Sequence, residues 1–292
     1  MQKANEIRHR ISANEEIRKI TNAMYLVSTS RLRRVLQHIE YNNKAFRKIQ
    51  TSMKDLLEHM DDVAHPYFTK RSGNRCTYIV IAGDKGLAGS YNSDVLNLAM
   101  SYMDKHGKQR SLISVGLVTS EFFRSHSMNP DIEVLGTMQD PTLSNARRIT
   151  FDILEMYDKN LTDEVHIIYT SFFGETKNKP VARRLLPLMI SDYNDIENAP
   201  HAEILTYEPS ANEVFSHLVP QYLIGILFGA IVQSYAAEHY ARMNAMQSAT
   251  KNADEMLSVL KMKYNMARQT TITQEIIELA DADSMLLNGE TQ

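Results

Sequence analysis

Cysteine occurs once in the 292 residues, at Cys76. A lone thiol excludes an intrachain disulfide and gives no support to a secreted, cross-linked fold. Long apolar runs are also missing. The longest, roughly Tyr222 to Val232, falls short of the ~20 residues that span a bilayer. The N-terminus, Met1 to Ile11, is charged and lacks the apolar centre of a signal peptide. A soluble, intracellular chain is expected, one still able to dock on a membrane complex. Charge of one sign is scarce too: the net of −3 exerts no global pull toward nucleic acid.

Glycine and proline are missing from both ends. Neither occurs before Pro66, and after Gly229 neither returns until Gly289. Both residues break helices, so their absence over such lengths predicts two long terminal helices around a middle that holds most of the turns. A hydrophobic content of 43% with 23% charged residues excludes wholesale disorder, and the length allows one or two cored domains.

Residues 4–63 carry an apolar stripe at helical spacing: Ile20, Met24 and Val27, then Val35 and Ile39, then Phe46, Ile49, Met53, Leu56, Met60 and Val63. The last six alternate by three and four, a heptad seam that needs a partner helix. The C-terminal stretch supplies one. Ser210-Ala-Asn-Glu213 reads as a capping box, and Pro220 should kink or interrupt the helix early. Ala237, Ala241, Ala245, Ala249 and Ala253 then recur every fourth residue, a smooth ridge for a close crossing. Residues 1–60 hold 12 Lys/Arg against 6 Asp/Glu, and residues 201–292 hold 5 against 11. Ends of opposite sign suit an antiparallel two-helix coiled coil.

The middle reads as a Rossmann-like α/β domain. Cys76–Ala82, Ser111–Val115 and Val165–Tyr169 are β-rich, with helical patterns at about 92–106 and 142–158 between them. This alternation favours a mainly parallel sheet. A polar link at 191–200 leads to a last expected strand, Ala202 to Tyr207. The fold class is thus α/β with long terminal helices. The expected division is an N-terminal shaft helix at 1–73, a central domain at 74–208 and a C-terminal shaft helix at 209–292.

Catalytic signatures are few. Ile81-Ala-Gly-Asp-Lys-Gly-Leu-Ala-Gly-Ser-Tyr-Asn-Ser93 runs from a strand through glycines into a helix, a context that can cradle phosphate on backbone N–H groups. Its G-x-x-G-x-x-G spacing matches neither the dinucleotide fingerprint nor a P-loop, and a tight turn is the better reading. The ten histidines show no ligand spacing for zinc. Glu238-His239 reads as a surface pair on the long helix, Asp281-Ala-Asp283-Ser284 lacks the rest of a calcium loop, and Cys76 reads as core. Arg31-Leu-Arg33-Arg34, a basic cluster without interleaved aromatics, reads as a solvated or partner-facing helical side rather than a nucleic-acid patch. On the residues alone, a coiled-coil adaptor and a nucleotide-dependent α/β enzyme with helical arms remain alternatives.

Three segments carry a resemblance. Near the start it is Arg18-Lys19-Ile20-Thr21-Asn22-Ala23-Met24, followed by Val27 and Arg31-Leu32-Arg33-Arg34. In the middle it is Asp84-Lys85-Gly86-Leu87-Ala88-Gly89-Ser90-Tyr91-Asn92. Near the end it is Glu238-His239, Ala241-Arg242-Met243, Ala245-Met246, Ala249-Thr250 and Asn252-Ala253, then Tyr264-Asn265, Ala267-Arg268-Gln269 and Ile272-Thr273-Gln274-Glu275. These resemble the gamma-subunit family of F-type ATP synthases over the whole length, strongly at both ends and loosely from about 95 to 205. Ala88 and Ser90 depart from the family's usual Cys and Gly, its G-x-K-G element is not recognisable around Gly116–Ser120, and Ala282-Asp283 replaces its Gly-Ala ending.

The resemblance implies a non-catalytic rotor: a two-helix axle inside a ring of alpha and beta subunits, on a body that holds the epsilon subunit and the membrane ring of c subunits. It implies that Met24, Arg33, Arg34, Arg242, Arg268, Gln269, Thr273 and Glu275 bind partners or couple motion, with no catalytic, cofactor or metal residue and no cofactor. It further implies no nucleic-acid partner, membrane association only through the complex, no transit peptide, and a peripheral place on the cytoplasmic face of a bacterial inner membrane. The segment from Glu275 to Leu287 is implied to sit in an apolar collar of the ring.

Overall fold

The structure, a computed structural model, describes residues 2–58, 65–106, 109–174, 178–189 and 211–289. Helix α1 spans Gln2–Glu58 and the last helix, α5, spans Ala211–Gly289. Between them run β1 (Arg75–Ile81), α2 (Tyr91–Lys105), β2 (Gln109–Val115), α3 (Leu117–Ser125), β3 (Ile132–Val134), α4 (Leu143–Asp158), β4 (Glu164–Ser171) and β5 (Lys179–Leu186). The expected last strand at 202–207, the link at 191–200, Ser210 of the capping box and the seam residues Met60 and Val63 lie outside the described residues.

The strands form one sheet in the order β3-β2-β1-β4-β5. β1 pairs in parallel with β2 and β4, β2 in parallel with β3, and β4 antiparallel with β5. β1 is buried along almost its whole length, as a central parallel strand must be. Its alternate residues Cys76, Tyr78 and Val80 join Val95, Leu96, Ala99 and Met103 of α2 and Phe123 of α3 in one apolar core. The expected helices at 92–106 and 142–158 agree with α2 and α4 to within a residue, and Thr142 caps α4 by accepting from the Asn145 N–H.

Three elements have no counterpart in the sequence reading. β3 is three residues long. β5 carries Pro180 and the pair Arg183-Arg184, which only an edge position tolerates in a strand. α3 starts immediately after β2, at Gly116. There φ is +98°, and a Cβ would lie 2.3 Å from the Ala82 carbonyl oxygen. A residue with a side chain cannot turn so tightly from strand into helix here.

The chain divides into two compact units, and α1 and α5 contribute to both. The larger, Ser28–Arg242, contains the sheet. In it, the Phe46 ring of α1 stacks on Tyr222 of α5 at 5.3 Å, and a Cβ on Gly225 would come within 2.7 Å of that same ring. The smaller, Met1–Val27 with Met243–Gln292, is an antiparallel helix pair. Thr250 donates to Thr21 between hydroxyl oxygens 2.8 Å apart, and Arg18 pairs with Asp254 at 3.2 Å. The alanine ridge is covered to varying degree: Ala237 and Ala253 are buried, while Ala241, Ala245 and Ala249 are half-buried.

An interruption at Pro220 and a wholly inward-facing stripe on α1 are both missing. Helix α5 runs through Pro220 without interruption. Proline removes one backbone donor near the start of a 79-residue helix, and burial of the flanking Phe215, Val219 and Leu223 outweighs that loss. The apolar stripe of α1 also does not all point inward: Ile20 is 60% and Val27 53% exposed, while Thr21 is buried. One facing helix covers only a narrow seam in the smaller unit, and it falls on Thr21 and the half-buried Met24 and Tyr25.

By length and composition, the stretch Glu213–Ile277 of α5 is apolar enough to cross a membrane. Its apolarity has a nearer cause, since Phe215, Val219, Leu223, Leu227, Ile231 and Tyr235 are buried within the larger unit.

Candidate functional site

The glycine loop after β1 is organised around a buried ionic cluster. The Gly83 N–H donates to Asn92 Oδ1 at 2.9 Å, and Asn92 Nδ2 donates to the Lys85 carbonyl at 3.2 Å. Asp84 Oδ1 accepts the Leu117 N–H at 2.9 Å, which ties the loop to the start of α3. Arg242 of α5 reaches the same loop: Nη2 donates to the carbonyls of Gly86 at 3.1 Å and Lys85 at 3.3 Å, and to Glu238 Oε1 at 2.5 Å. The loop therefore offers this guanidinium carbonyl oxygens. The phosphate-cradle reading needed inward N–H groups, and the Gly83 N–H is already taken by Asn92.

Glu238 and His239 are each 3% exposed, which overturns their reading as a surface pair. α5 is covered nearly all round at this height, with Ala236, Ala237 and Arg242 also buried. The i, i+4 spacing of Glu238 and Arg242 was visible in sequence, but the loop laid over it was not. Burial pushes the Glu238 carboxyl up and Arg242 draws it back down. Burial, aided by the charges of Arg242 and Arg31, drives His239 down to about 3. A neutral His239 leaves Nδ1 free to accept from Arg242 Nη1 at 3.5 Å. Asp84, Glu238, His239 and Arg242 line a cavity of about 60 Å³ with Arg31 and Met138.

The eight residues singled out from sequence do not form one site. Arg242 lies in this cluster. Arg33 and Arg34 are exposed on α1 of the larger unit, between the buried Leu32 and Val35. Arg34 lines a separate cavity of about 250 Å³ with Arg31, His38 and Asp140. In the smaller unit, Met24 is half-buried, and Arg268, Gln269, Thr273 and Glu275 are exposed on α5. The Thr273 hydroxyl donates to the Gln269 carbonyl at 2.9 Å. Gln269 and Thr273 share an open groove with Met266, Thr270, Gln274 and Ile277. Along the same stretch of α5, Met266, Ile272, Ile276, Ile277 and Leu279 are each more than 40% exposed.

Comparison with known proteins gives one answer. The family model described as ATP synthase matches residues 3–284. The ATP synthase gamma chain of Ruminiclostridium cellulolyticum is 38% identical over 287 residues, covering 96% of this chain and 98% of the relative. That of Caldanaerobacter subterraneus subsp. tengcongensis is 35% identical over 294 residues, covering 96% and 99%. Among solved structures, a chain of the Euglena gracilis mitochondrial ATP synthase assembly of OSCP, F1 and c-ring superposes with a TM-score of 0.71 at 15% identity, covering 100% of this chain and 97% of that one. A chain of the rotor of the same synthase gives 0.65 at 14%, covering 93% and 99%. At such identities these two likenesses show the shared fold, and the curated relatives show the family. With long N- and C-terminal helices on a mixed sheet and a match along nearly its whole length, the chain belongs to the ATP synthase gamma chain family, the non-catalytic central stalk of that enzyme.

Proposed function

We propose that this gamma chain turns as a rotor, with 1–73 and 209–292 as the shaft and 74–208 as the body. One observation carries this reading of the shaft: Ile272, Ile276, Ile277 and Leu279 stay exposed on α5. Apolar surface of this kind calls for a sleeve, and a sleeve around a turning rod needs smooth apolar contact rather than specific hydrogen bonds. The alpha and beta subunits supply it, and their differing contacts with an asymmetric rod bias the ring's conformations as the rod turns. Arg33, Arg34, Arg268, Gln269, Thr273 and Glu275 present exposed polar groups for those contacts. The body holds the epsilon subunit and the c ring, and membrane association runs through that ring, on the cytoplasmic face of a bacterial inner membrane.

Met24→Lys tests the coupling role. It places a charge at a half-buried position of the helix pair. In the assembled complex, ATP-driven ion pumping should fall more than ATP hydrolysis. Equal losses in both would sink the coupling role.

A further inference from the structure

We propose that Cys76, Glu164 and His166 form a binding site for a borderline-soft divalent cation of the zinc class. β1 and β4 run in parallel with Cys76 opposite Glu164 and Tyr78 opposite His166. Side chains alternate along a strand, so all four residues share one face of the sheet. A thiol, a carboxylate and an imidazole thus converge from two neighbouring central strands, with ligand atoms all within 4.8 Å of one another. Tetrahedral zinc, with bonds of about 2.0–2.3 Å, sets its ligand atoms about 3.5 Å apart, which small side-chain rotations reach from here. Thiolate, imidazole and carboxylate are the three donor types zinc takes, and solvent fills the fourth position.

The imidazole is already held for the task. Its Nδ1 lies 3.1 Å from the Tyr102 hydroxyl, and its Nε2 lies 3.1 Å from Glu164 Oε2, turned into the trio. An oxygen partner on the second ring nitrogen is what orients a ligating histidine. The Tyr78 ring stacks on the imidazole at 5.6 Å and fixes its plane. Cys76 and His166 are buried, and the half-buried Glu164 gives the ion its way in. As the metal–sulfur bond forms, the thiol proton leaves to solvent. The proton that Nε2 shows to Glu164 is given up in the same step and Nδ1 takes one, so that Nδ1 then donates to the Tyr102 oxygen while Nε2 binds the metal. The site lies at the starts of β1 and β4, whereas the Arg242 cluster gathers at the loop beyond the end of β1. The rotor reading uses none of these three side chains, so the proposal stands independently of it.

Cobalt(II) chloride tests it on the purified full chain. Cys76 is the sole cysteine, so any thiolate-to-metal band in the near ultraviolet reports this site alone. One equivalent should raise such a band, zinc should displace it, and Cys76→Ser should lose it. Tyr102→Phe keeps all three ligands and should weaken affinity about tenfold. The unmodified chain gives a second readout that needs no substitution: zinc should slow alkylation of the thiol about tenfold or more, since the thiolate is the nucleophile. Absence of the band, its survival in Cys76→Ser, or alkylation unchanged by zinc would each overturn the site.

Discussion

Arg242 is 7% exposed, and it is held by Glu238 and by two loop carbonyls. A buried ion pair adds little net stability, yet removing one partner leaves the other charged and dry. Arg242→Ala should therefore destabilise the chain by about 3–5 kcal/mol in urea unfolding. Glu238→Gln should cost less, because the guanidinium keeps its bonds to Gly86 and Lys85, and the double variant should recover part of the Arg242→Ala loss. If the two single losses add, the pair does not act as a unit. His239 supplies a pH test. Its proton affinity is driven down to about 3 from the ordinary 6.5, and burial lowers His65 and His166 as well. The unfolded chain binds these protons below its ordinary histidine value while the folded chain refuses them. Their contribution is thus complete above pH 6.5 and is lost as pH falls from there toward about 3. Glu238, raised by burial, works in the opposite sense, its contribution fading as pH rises through its folded value. Asp152, also raised by burial, acts as Glu238 does, whereas Asp163, Glu40 and Glu155 are held down by their basic partners and lose their contribution on acidification as the histidines do. The lowered groups outnumber the raised ones, and Tm should fall on acidification below pH 6.5. His239→Gln, which can still accept from Arg242, should flatten the slope. An unchanged slope would show that His239 is not its source.

Between elements, the helix pair is held by close approach more than by surface charge. Arg18–Asp254 and Lys261–Glu15 are exposed pairs, at 3.2 and 3.7 Å. Such pairs contribute roughly 0–1 kcal/mol each. The second also joins a C-terminal base to an N-terminal acid, against the sign that the charge asymmetry of the two ends favours. Gly225 matters more. Its missing side chain makes room for the Phe46 ring, and Gly225→Ala would bring a methyl to 2.7 Å from Cδ2 and 3.2 Å from Cε2. Alanine improves helix propensity by about 1 kcal/mol, while overpacking a fitted ring costs about 1–3 kcal/mol. Gly225→Ala is expected to lower Tm, and Phe46→Leu in the same chain to lessen the loss. A Tm raised by Gly225→Ala alone would show that the ring yields freely.

For the whole molecule, α1 and α5 serve two jobs along their lengths. In the larger unit α5 is a core helix, with Leu227, Ile231 and Tyr235 buried. In the smaller unit its far end keeps Ile276 at 61% and Leu279 at 71% exposed. The side chains of Ala280 and of Met285-Leu286-Leu287, also expected in the collar, lie outside those described. Leu279→Cys tests the placement. Made together with Cys76→Ser, it leaves the new thiol as the sole cysteine of the sequence. In the assembled complex it should form a disulfide with a cysteine introduced on the inner wall of the alpha–beta ring. Failure at every ring position would mean that this end of α5 does not lie in the collar.

What sequence determined by itself was set by local rules. Missing glycine and proline marked out both long helices, alternating β-rich and helical segments marked out β1, β2, β4, α2 and α4, and the runs Arg242–Ala253 and Arg268–Glu275 carried the family. Short or edge elements escaped because their signal is weak: β3 has three residues, and β5 carries a proline and two arginines. Tertiary structure decided which faces are covered. A period of 3.6 says that Ile20, Met24 and Val27 lie near one another on a helix, but only the partner's position decides that Thr21 is buried and Ile20 is not. The same holds for Glu238 and His239, buried by a loop more than a hundred residues away in the chain, and for Cys76 with Glu164 and His166, brought together by strand pairing. Sequence spacing records which side chains share a face; what that face meets depends on segments distant along the chain, and only their packing supplies it.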